Sequence, residues 1–391
     1  MWKFTDFLLL QNKKMQLEGN IVSGSQMGYG TLDFEKEKIT ELHFWGGVCE
    51  DAVWILPGFI DVHLHGAGQY NVEEGEYGLR GMAEFLASKG VTRFLPSYSC
   101  APHDELVNFI KTVRHLMNEP PQGALIAGSH LEGPWLASRF CGGMVPEMIR
   151  RPDLKQAQEF LDAAEGTLKM MTIAPEEPGA MDVIRLMHKN GVVVSSGHSA
   201  CPPALLEPAV QAGISEICHL FDSYDLPEDH GGVRQPALTD LVLIHDGLMK
   251  EIIMDGLHVP PELVILSRRA AGANHIIAIT DALQGAGLAE GHFLDCGKPY
   301  TIRDGEFARR DDDHVIVGSS LTMNRAFYNM TTRFGFSPLE AVMAASGNPA
   351  KQLGIDHFTG SLQKGMNADI VVIAPDCLTV QATYIQGRKV F

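Results

Sequence analysis

Apolar and polar residues alternate in two different rhythms along this chain. Over the first fifty-odd residues, short apolar runs are broken by Gly, Asn and Asp turn signals: KFTDFLLL, KMQLEG, NIVSG, GTLDFE and ITELHFW. The last thirty-five residues repeat that rhythm in DIVVIA and LTVQATYIQGRKVF. Short runs bounded by turn residues predict β-strands. Two such ends flanking a different middle predict that residues 1–53 and 355–391 fold together into one small β-sandwich domain.

From Trp54 to about Leu353 the rhythm changes, and strand-like apolar runs alternate with helical stretches. The runs are WILPGFIDVHLH, VTRFLPSY, LIAGSHLE, LKMMTIAP, VVVSSGHS, EICHLF, EIIMDGLH and HIIAITDA. Between them lie GLRGMAEFLASKG, DELVNFIKTVRHLMN, LKQAQEFLDAAEG, MDVIRLMHKNG and ALLEPAVQAG, several ending on the Gly that commonly stops a helix. Eight strand–helix units are the signature of a closed parallel barrel. The fold class is therefore read as α/β, a (β/α)8 TIM barrel over residues 54–354 carrying the small β-sandwich. HFLDCGKPYTIRDGEFARRDDDHVIV reads as a hairpin insertion after the eighth strand, and its Arg309-Arg310 pair beside Asp311, Asp312 and Asp313 as a solvated turn.

Length supports this division: 391 residues accommodate a barrel of roughly 250–300 residues and a smaller unit. The formal net charge of −17 argues against nucleic acid or an anionic membrane as a partner, because both require clustered Lys and Arg. Seven scattered cysteines without a C-x-x-C pair suggest free thiols in a reducing compartment. The opening MWKFTDFLLLQNKK has too short an apolar run for a signal-peptide core. No window approaches the ~18 apolar residues of a spanning helix. The expected location is the cytoplasm.

In such a barrel the functional groups stand at the C-terminal strand ends. Here those ends read His63 and His65, then Glu132, His198, His219, His258 and Asp281. Each residue alone has an ordinary alternative. A lone His is usually a satisfied core or loop residue, Glu132 could cap the turn before Gly133-Pro134, and Asp281 could N-cap a helix. Gathering so many ionisable groups around one barrel mouth, however, is costly without a metal or mutual pairing.

His63 and His65 form an H-x-H pair that shares one strand face at period 2. Imidazole and carboxylate ligands suit Zn²⁺ or a related divalent ion, and such an ion lowers the pKa of a coordinated water to roughly 7. Asp281 is the expected general base and acid, and His258 the group that polarises a scissile carbonyl. A dinucleotide site is rejected because no helix start follows HGAG. A serine hydrolase is rejected because Ser195, Ser196 and Ser199 lack a G-x-S-x-G elbow.

The strings PGFIDVHLHG, HLEGPWL, GHS, HLF, MDGLHV, TDA, GSSLTMN, ASGNPAKQLGI and GSLQKGMNADIVV occur in this order from Pro57 to Val372. Together they resemble the N-acetylglucosamine-6-phosphate deacetylase family of the amidohydrolase superfamily. The resemblance implies a barrel plus β-sandwich, a homodimer, and hydrolysis of the acetamide of a phosphorylated amino sugar. It implies metal ligands at Glu132, His198 and His219, a catalytic aspartate at Asp281 and a carbonyl-contacting histidine at His258. Some members hold a second metal through an H-x-H pair, so His63 and His65 leave one or two ions open. Substrate contacts are implied at Gly143, Met144, Asp222, Ser223, Arg234, Asp255, His258, Val317 and Gly318.

The chain departs from the family pattern at the substrate. CGGMVP places Met144 where the family carries a substrate-contacting histidine. DSYDLPEDHGGVRQP places Asp222 at an expected asparagine and Arg234 later than the family's phosphate-holding arginine. Asp222, Asp225, Glu228 and Asp229 are a poor lining for a dianion. Either this loop folds away and leaves Arg234 on the phosphate, or a different N-acyl or unphosphorylated amino-sugar substrate is used.

Overall fold

The N-terminal runs build strands β1 (Met15–Val22), β2 (Met27–Glu35), β3 (Lys38–Gly46) and β4 (Trp54–Pro57). The structure, a computed structural model, describes residues 14–295, 297–303 and 305–391; the KFTDFLLL run and Cys296 lie outside the described residues. Eight parallel strands follow: β5 (Phe59–Leu64), β6 (Val91–Tyr98), β7 (Ser129–Glu132), β8 (Leu168–Ile173), β9 (Val193–Ser196), β10 (Ile214–Ile217), β11 (Met249–Ile253) and β12 (Ile276–Ile279). One helix succeeds each strand: α1 (Gly75–Ala87), α2 (His103–Asn118), α3 (Leu154–Ala164), α4 (Ala180–Lys189), α5 (Leu206–Ala212), α6 (Leu238–Leu243), α7 (Pro261–Ala271) and α8 (Met323–Thr332). An insertion of β13 (Gly291–Asp295), β14 (Lys298–Ile302) and β15 (Arg309–Arg310) separates β12 from α8. The chain ends in β16 (Ile370–Ile373), β17 (Val380–Ile385) and β18 (Arg388–Lys389).

The eight parallel strands close into a barrel. Asp281 N donates to His63 O at 2.9 Å, and Leu64 bridges Ala282 in parallel, joining the end of β12 to β5. Alternation along the strands sorts their side chains into two cores. Phe94, Met171, Ile276 and Ala278 face the helices, whereas Leu95, Met170 and Ile277 join Ile60, Val62 and Met249 in a separate group that fills the barrel. The expected α/β barrel is therefore present, with all eight runs in their expected order.

The terminal strands form one seven-stranded sheet in the order β18-β17-β16-β4-β1-β2-β3. Phe34 on β2 and Tyr384 on β17 are four strands apart in that order, yet their rings meet at 5.4 Å. The sheet therefore curls over a core of Ile21, Leu32, Ile55, Ile370 and Val372. Trp54–Pro57, read from the sequence as the start of the first barrel strand, instead pairs with β1 and β16. Asp369 locks the sheet to the barrel. Its carboxylate accepts from Arg93 of β6 and from Thr359, at 2.9 and 2.8 Å. No helix among the described residues is long and apolar enough to cross a membrane.

Candidate metal centre and active-site cavity

Each expected ligand sits at or just beyond the C-terminal end of a barrel strand. His63 lies within β5 and His65 one residue past it, while Glu132 ends β7. His198, His219 and Asp281 each follow their strand by two residues. These last three adopt left-handed backbone angles, with φ of 47°, 21° and 49°. Non-glycine residues pay about 1–3 kcal/mol for such strained geometry, which clusters at functional sites.

The side chains converge on Glu132. Its Oε1 is 3.0 Å from Nε2 of both His198 and His219, and 3.4 Å from His63 Nε2. The two imidazole Nε2 atoms of His198 and His219 approach to 3.1 Å. On the other side, His65 Nε2 lies 3.4 Å from Glu132 Oε2 and 3.2 Å from Asp281 Oδ1. His63, His65, Glu132, His198, His219 and Asp281 are all buried.

Hydrogen bonds set the ring tautomers. His198 Nδ1 donates to Phe140 O at 2.6 Å, and His65 Nδ1 donates to Ser97 O at 2.9 Å. Both rings therefore present the Nε2 lone pair to the cluster. His63 Nε2 is buried without a hydrogen-bond partner. Burial alone would push the Glu132 carboxyl up, but the facing imidazoles of His63, His198 and His219 hold it well below the carboxylate range. Conversely, burial disfavours a positive charge on His63 and His219, yet the surrounding anions raise the proton affinity of both well above normal. Such a site seeks a cation. Two groups of donor atoms lie close enough together to suit a divalent ion, His63 with Glu132, Cys218 and His219, and His63 with His65 and Asp281, and His198 adjoins the first group 3.0 Å from Glu132 Oε1.

A cavity of about 210 Å³ opens above this cluster. Of the expected substrate residues, Gly143, Met144, Asp222, Ser223, His258, Val317 and Gly318 line it, together with Ser99, Asp295, Phe307 and Ile316. Asp255 stands behind His258, its carboxylate accepting from the His258 Nδ1 at 2.6 Å and from its backbone N–H at 3.0 Å. Burial works against a charged His258, but Asp255, with Asp222 and Asp281, lifts its pKa to about 9. The ring is thus an imidazolium at neutral pH, its Nε2–H 3.3 Å from Val317 O. Burial would raise Asp281, but the neighbouring His65 and His63 hold it well below the carboxylate range and ionised.

Arg234 is not among the lining residues. It ends a short exposed hairpin, and its guanidinium is held by both oxygens of Asp240 at 2.8 and 2.9 Å. Arg139, exposed and also absent from the lining, pairs with Asp225.

Other participants were not singled out by the sequence. Glu251, within β11, and Glu216, within β10, are fully buried beneath the cluster. Burial pushes both carboxyls up, and Glu251 pushes Glu216 up further. His63 overrides burial at Glu251 and holds it at about 2, so the pair keeps its proton on Glu216 and its charge on Glu251. Asp61, also buried, accepts from Thr280 Oγ1 at 2.6 Å, and burial lifts it to about 7. A charged residue inside an otherwise apolar barrel strand was the available signal for all three.

Arg310 corrects an expectation: only Arg309 of that pair is exposed. Arg310 is buried, paired with Asp313 at 2.8 Å, and donates to Gly143 O at 3.0 Å. It ties the insertion to the cavity wall rather than to solvent.

Buried imidazoles and carboxylates ringing the mouth of an eight-stranded barrel suit a hydrolase that uses a divalent metal, and sequence comparison identifies the class as a hydrolase of carbon–nitrogen bonds. The Amidohydrolase family model matches residues 54–390, so the chain belongs to the amidohydrolase family. It is 32% identical over 341 residues to the N-acetylglucosamine-6-phosphate deacetylase of Bacillus subtilis (strain 168), covering 86% of this chain and 84% of that protein. It is 31% identical to the N-acetylgalactosamine-6-phosphate deacetylase of Escherichia coli O157:H7, over 86% and 88% of the two chains. Among solved structures, a mutant N-acetyl-D-glucosamine-6-phosphate deacetylase of Mycobacterium smegmatis, in complex with N-acetyl-D-glucosamine-6-phosphate, superposes with a TM-score of 0.88. Its identity is 27%, covering 97% of this chain and 99% of that one. The family resemblance read from the ordered motifs is borne out.

Proposed function

We propose that this protein is a metal-dependent deacetylase that hydrolyses the acetamide of an N-acetylhexosamine 6-phosphate, releasing acetate and the free amino sugar phosphate. The supporting observation is the convergence of His63, His65, His198 and His219 on Glu132, with Asp281 and His258 lining one cavity above them. We take Zn²⁺ as the first candidate ion, which when bound would supply Lewis acidity and an activated water. Asp281, held ionised by His65 and His63, accepts the proton of the attacking water and passes it to the departing amine nitrogen. His258, held as an imidazolium by Asp255, donates from Nε2 to the oxyanion that develops on the acetamide carbonyl. Gly143, Met144, Ser223, Val317 and Gly318 form the wall against the sugar. A homodimer follows from the resemblance, and the free thiols among the described residues favour a reducing, cytoplasmic setting.

A second reading is favoured by one observation. The cavity lining includes Asp222 and Asp295 but no Lys or Arg among the described residues, and Arg139 and Arg234 are already paired with carboxylates. An unphosphorylated amino sugar, or another N-acyl substrate, would suit such a wall. Acetate release from N-acetylglucosamine-6-phosphate, its galacto epimer and unphosphorylated N-acetylglucosamine decides between them. Preference for either phosphorylated sugar supports the first reading. Preference for the parent sugar supports the second, and no release from any of them by metal-loaded protein rejects both deacetylase readings.

A further inference from the structure

We propose that Glu251 is the positioning residue that fixes His63 as a metal ligand, and that it thereby determines whether a second cation is held beside the Glu132–His198–His219 group. The inference shares with the proposed function only the premise that this cluster binds metal.

Glu251 occupies the middle of β11, in the apolar run MKEII, and is fully buried. A carboxylate there is costly unless it is paired. Its Oε2 accepts from His63 Nδ1 at 3.1 Å and from the His219 backbone N–H at 3.2 Å. It therefore joins two strand ends that each carry a ligand. Holding the proton on Nδ1 leaves the lone pair of His63 on Nε2, the buried atom with no hydrogen-bond partner. That atom faces Glu132 Oε1 at 3.4 Å and Asp281 Oδ1 at 3.7 Å.

His65 presents its Nε2 to the same Asp281 oxygen at 3.2 Å. His63, His65 and Asp281 thus offer a second set of donor atoms within reach of one ion, sharing His63 with the set that contains Glu132, Cys218 and His219. The two histidines are held differently. His65 is oriented by the backbone carbonyl of Ser97, which no side-chain substitution removes. His63 depends on Glu251; the other group near its Nδ1 is the Cys218 sulfur, at 3.7 Å, a weak partner. Metal-bound imidazoles characteristically donate their other ring N–H to a carboxylate or carbonyl, and loss of that partner weakens metal affinity about 10–100-fold. The occupancy of the His63–His65–Asp281 position is therefore set one layer below the ligands, by Glu251.

The test is chelator competition on the zinc-loaded full chain, counting bound zinc per chain by mass spectrometry, with circular dichroism as the check on folding. Wild-type, Glu251→Gln, Glu251→Leu and His63→Asn proteins are compared. Wild type should hold two ions. Glu251→Gln keeps an acceptor but loses the charge, and should weaken the second ion about tenfold. Glu251→Leu should weaken it by up to about 100-fold, and His63→Asn should remove it, while the first ion is held as in wild type. If Glu251→Leu fails to fold, the isosteric Glu251→Gln decides alone. Wild-type affinity for both ions in Glu251→Gln and Glu251→Leu, alongside loss in His63→Asn, would overturn the proposal, as would a wild-type protein that binds a single ion. Zinc counts are independent of acetate release, so a protein that loads two ions but deacetylates nothing would fail the functional reading and leave this one standing.

Discussion

The floor of the cavity and its mouth are built by opposite means. On the floor, His63, His65, Glu132, His198, His219 and Asp281 come from the ends of parallel strands, are buried, and are each held by at least two polar partners. At the mouth, Gly143, Met144, Asp222, Ser223 and Val317 lie on connecting segments, shaped by long-range contacts such as Arg310 to Gly143 O. Strand ends are fixed by the barrel, so the chemistry sits on the part of the fold that cannot move cheaply. The cavity wall sits on segments that can be rebuilt without touching it. A chain of this kind can keep the amide-hydrolysing floor while its mouth diverges.

The sharpest way to break this division is on the floor. Asp281→Asn should lower kcat about 10²–10⁴-fold, as loss of a general acid–base group does, while the Glu132–His198–His219 group keeps its ion. Metal analysis alongside steady-state kinetics checks it; loss of all bound metal would make Asp281 chiefly a ligand.

The next effect is in the pH profile. The folded pKa of His258, about 9, lies above its ordinary 6.5. Its charged form therefore persists below pH 9 and is lost as pH rises through that value. Its contribution to folding stability is full below pH 6.5 and fades between 6.5 and 9. kcat/KM should fall on an alkaline limb near pH 9, and Asp255→Asn should move that limb down by about one to two units. A limb that stays in place in Asp255→Asn would dissociate it from His258.

At the mouth the expected effects are smaller. Arg310→Met frees the Gly143 carbonyl and should raise KM about tenfold, with kcat changed far less, because it displaces a wall and no reacting group. An equal loss in kcat would place the Arg310 contact on the floor's side of the comparison. Arg234→Ala should change kcat/KM for the phosphorylated sugar by less than about threefold and stability by at most about 1 kcal/mol, since its exposed guanidinium is already held by Asp240. A selective loss of about tenfold or more would return Arg234 to the phosphate.

The same division explains what could be read from the sequence. His63, His65, Glu132, His198, His219 and Asp281 were legible because each ends or follows an apolar run, and the barrel brings such ends together. Glu216 and Glu251 were not, although ISEI and MKEII each set a carboxylate inside an apolar strand that has to bury it. Arg310 read as a solvated turn because ARRDDD is locally polar, and its partner Gly143 is far away in sequence. Trp54–Pro57 read as barrel because it runs without a polar break into β5, and only pairing with β1 and β16 shows otherwise. Arg234 was placed by motif position, which carries no information about the Asp240 carboxylate that holds it.

The central claim, that this floor is a metal-dependent deacetylase centre, is tested most directly by acetate release from N-acetylglucosamine-6-phosphate before chelation, after chelation, and after zinc is restored. The account predicts release that disappears with the metal and returns with it. Release that persists unchanged in fully metal-free protein would contradict it.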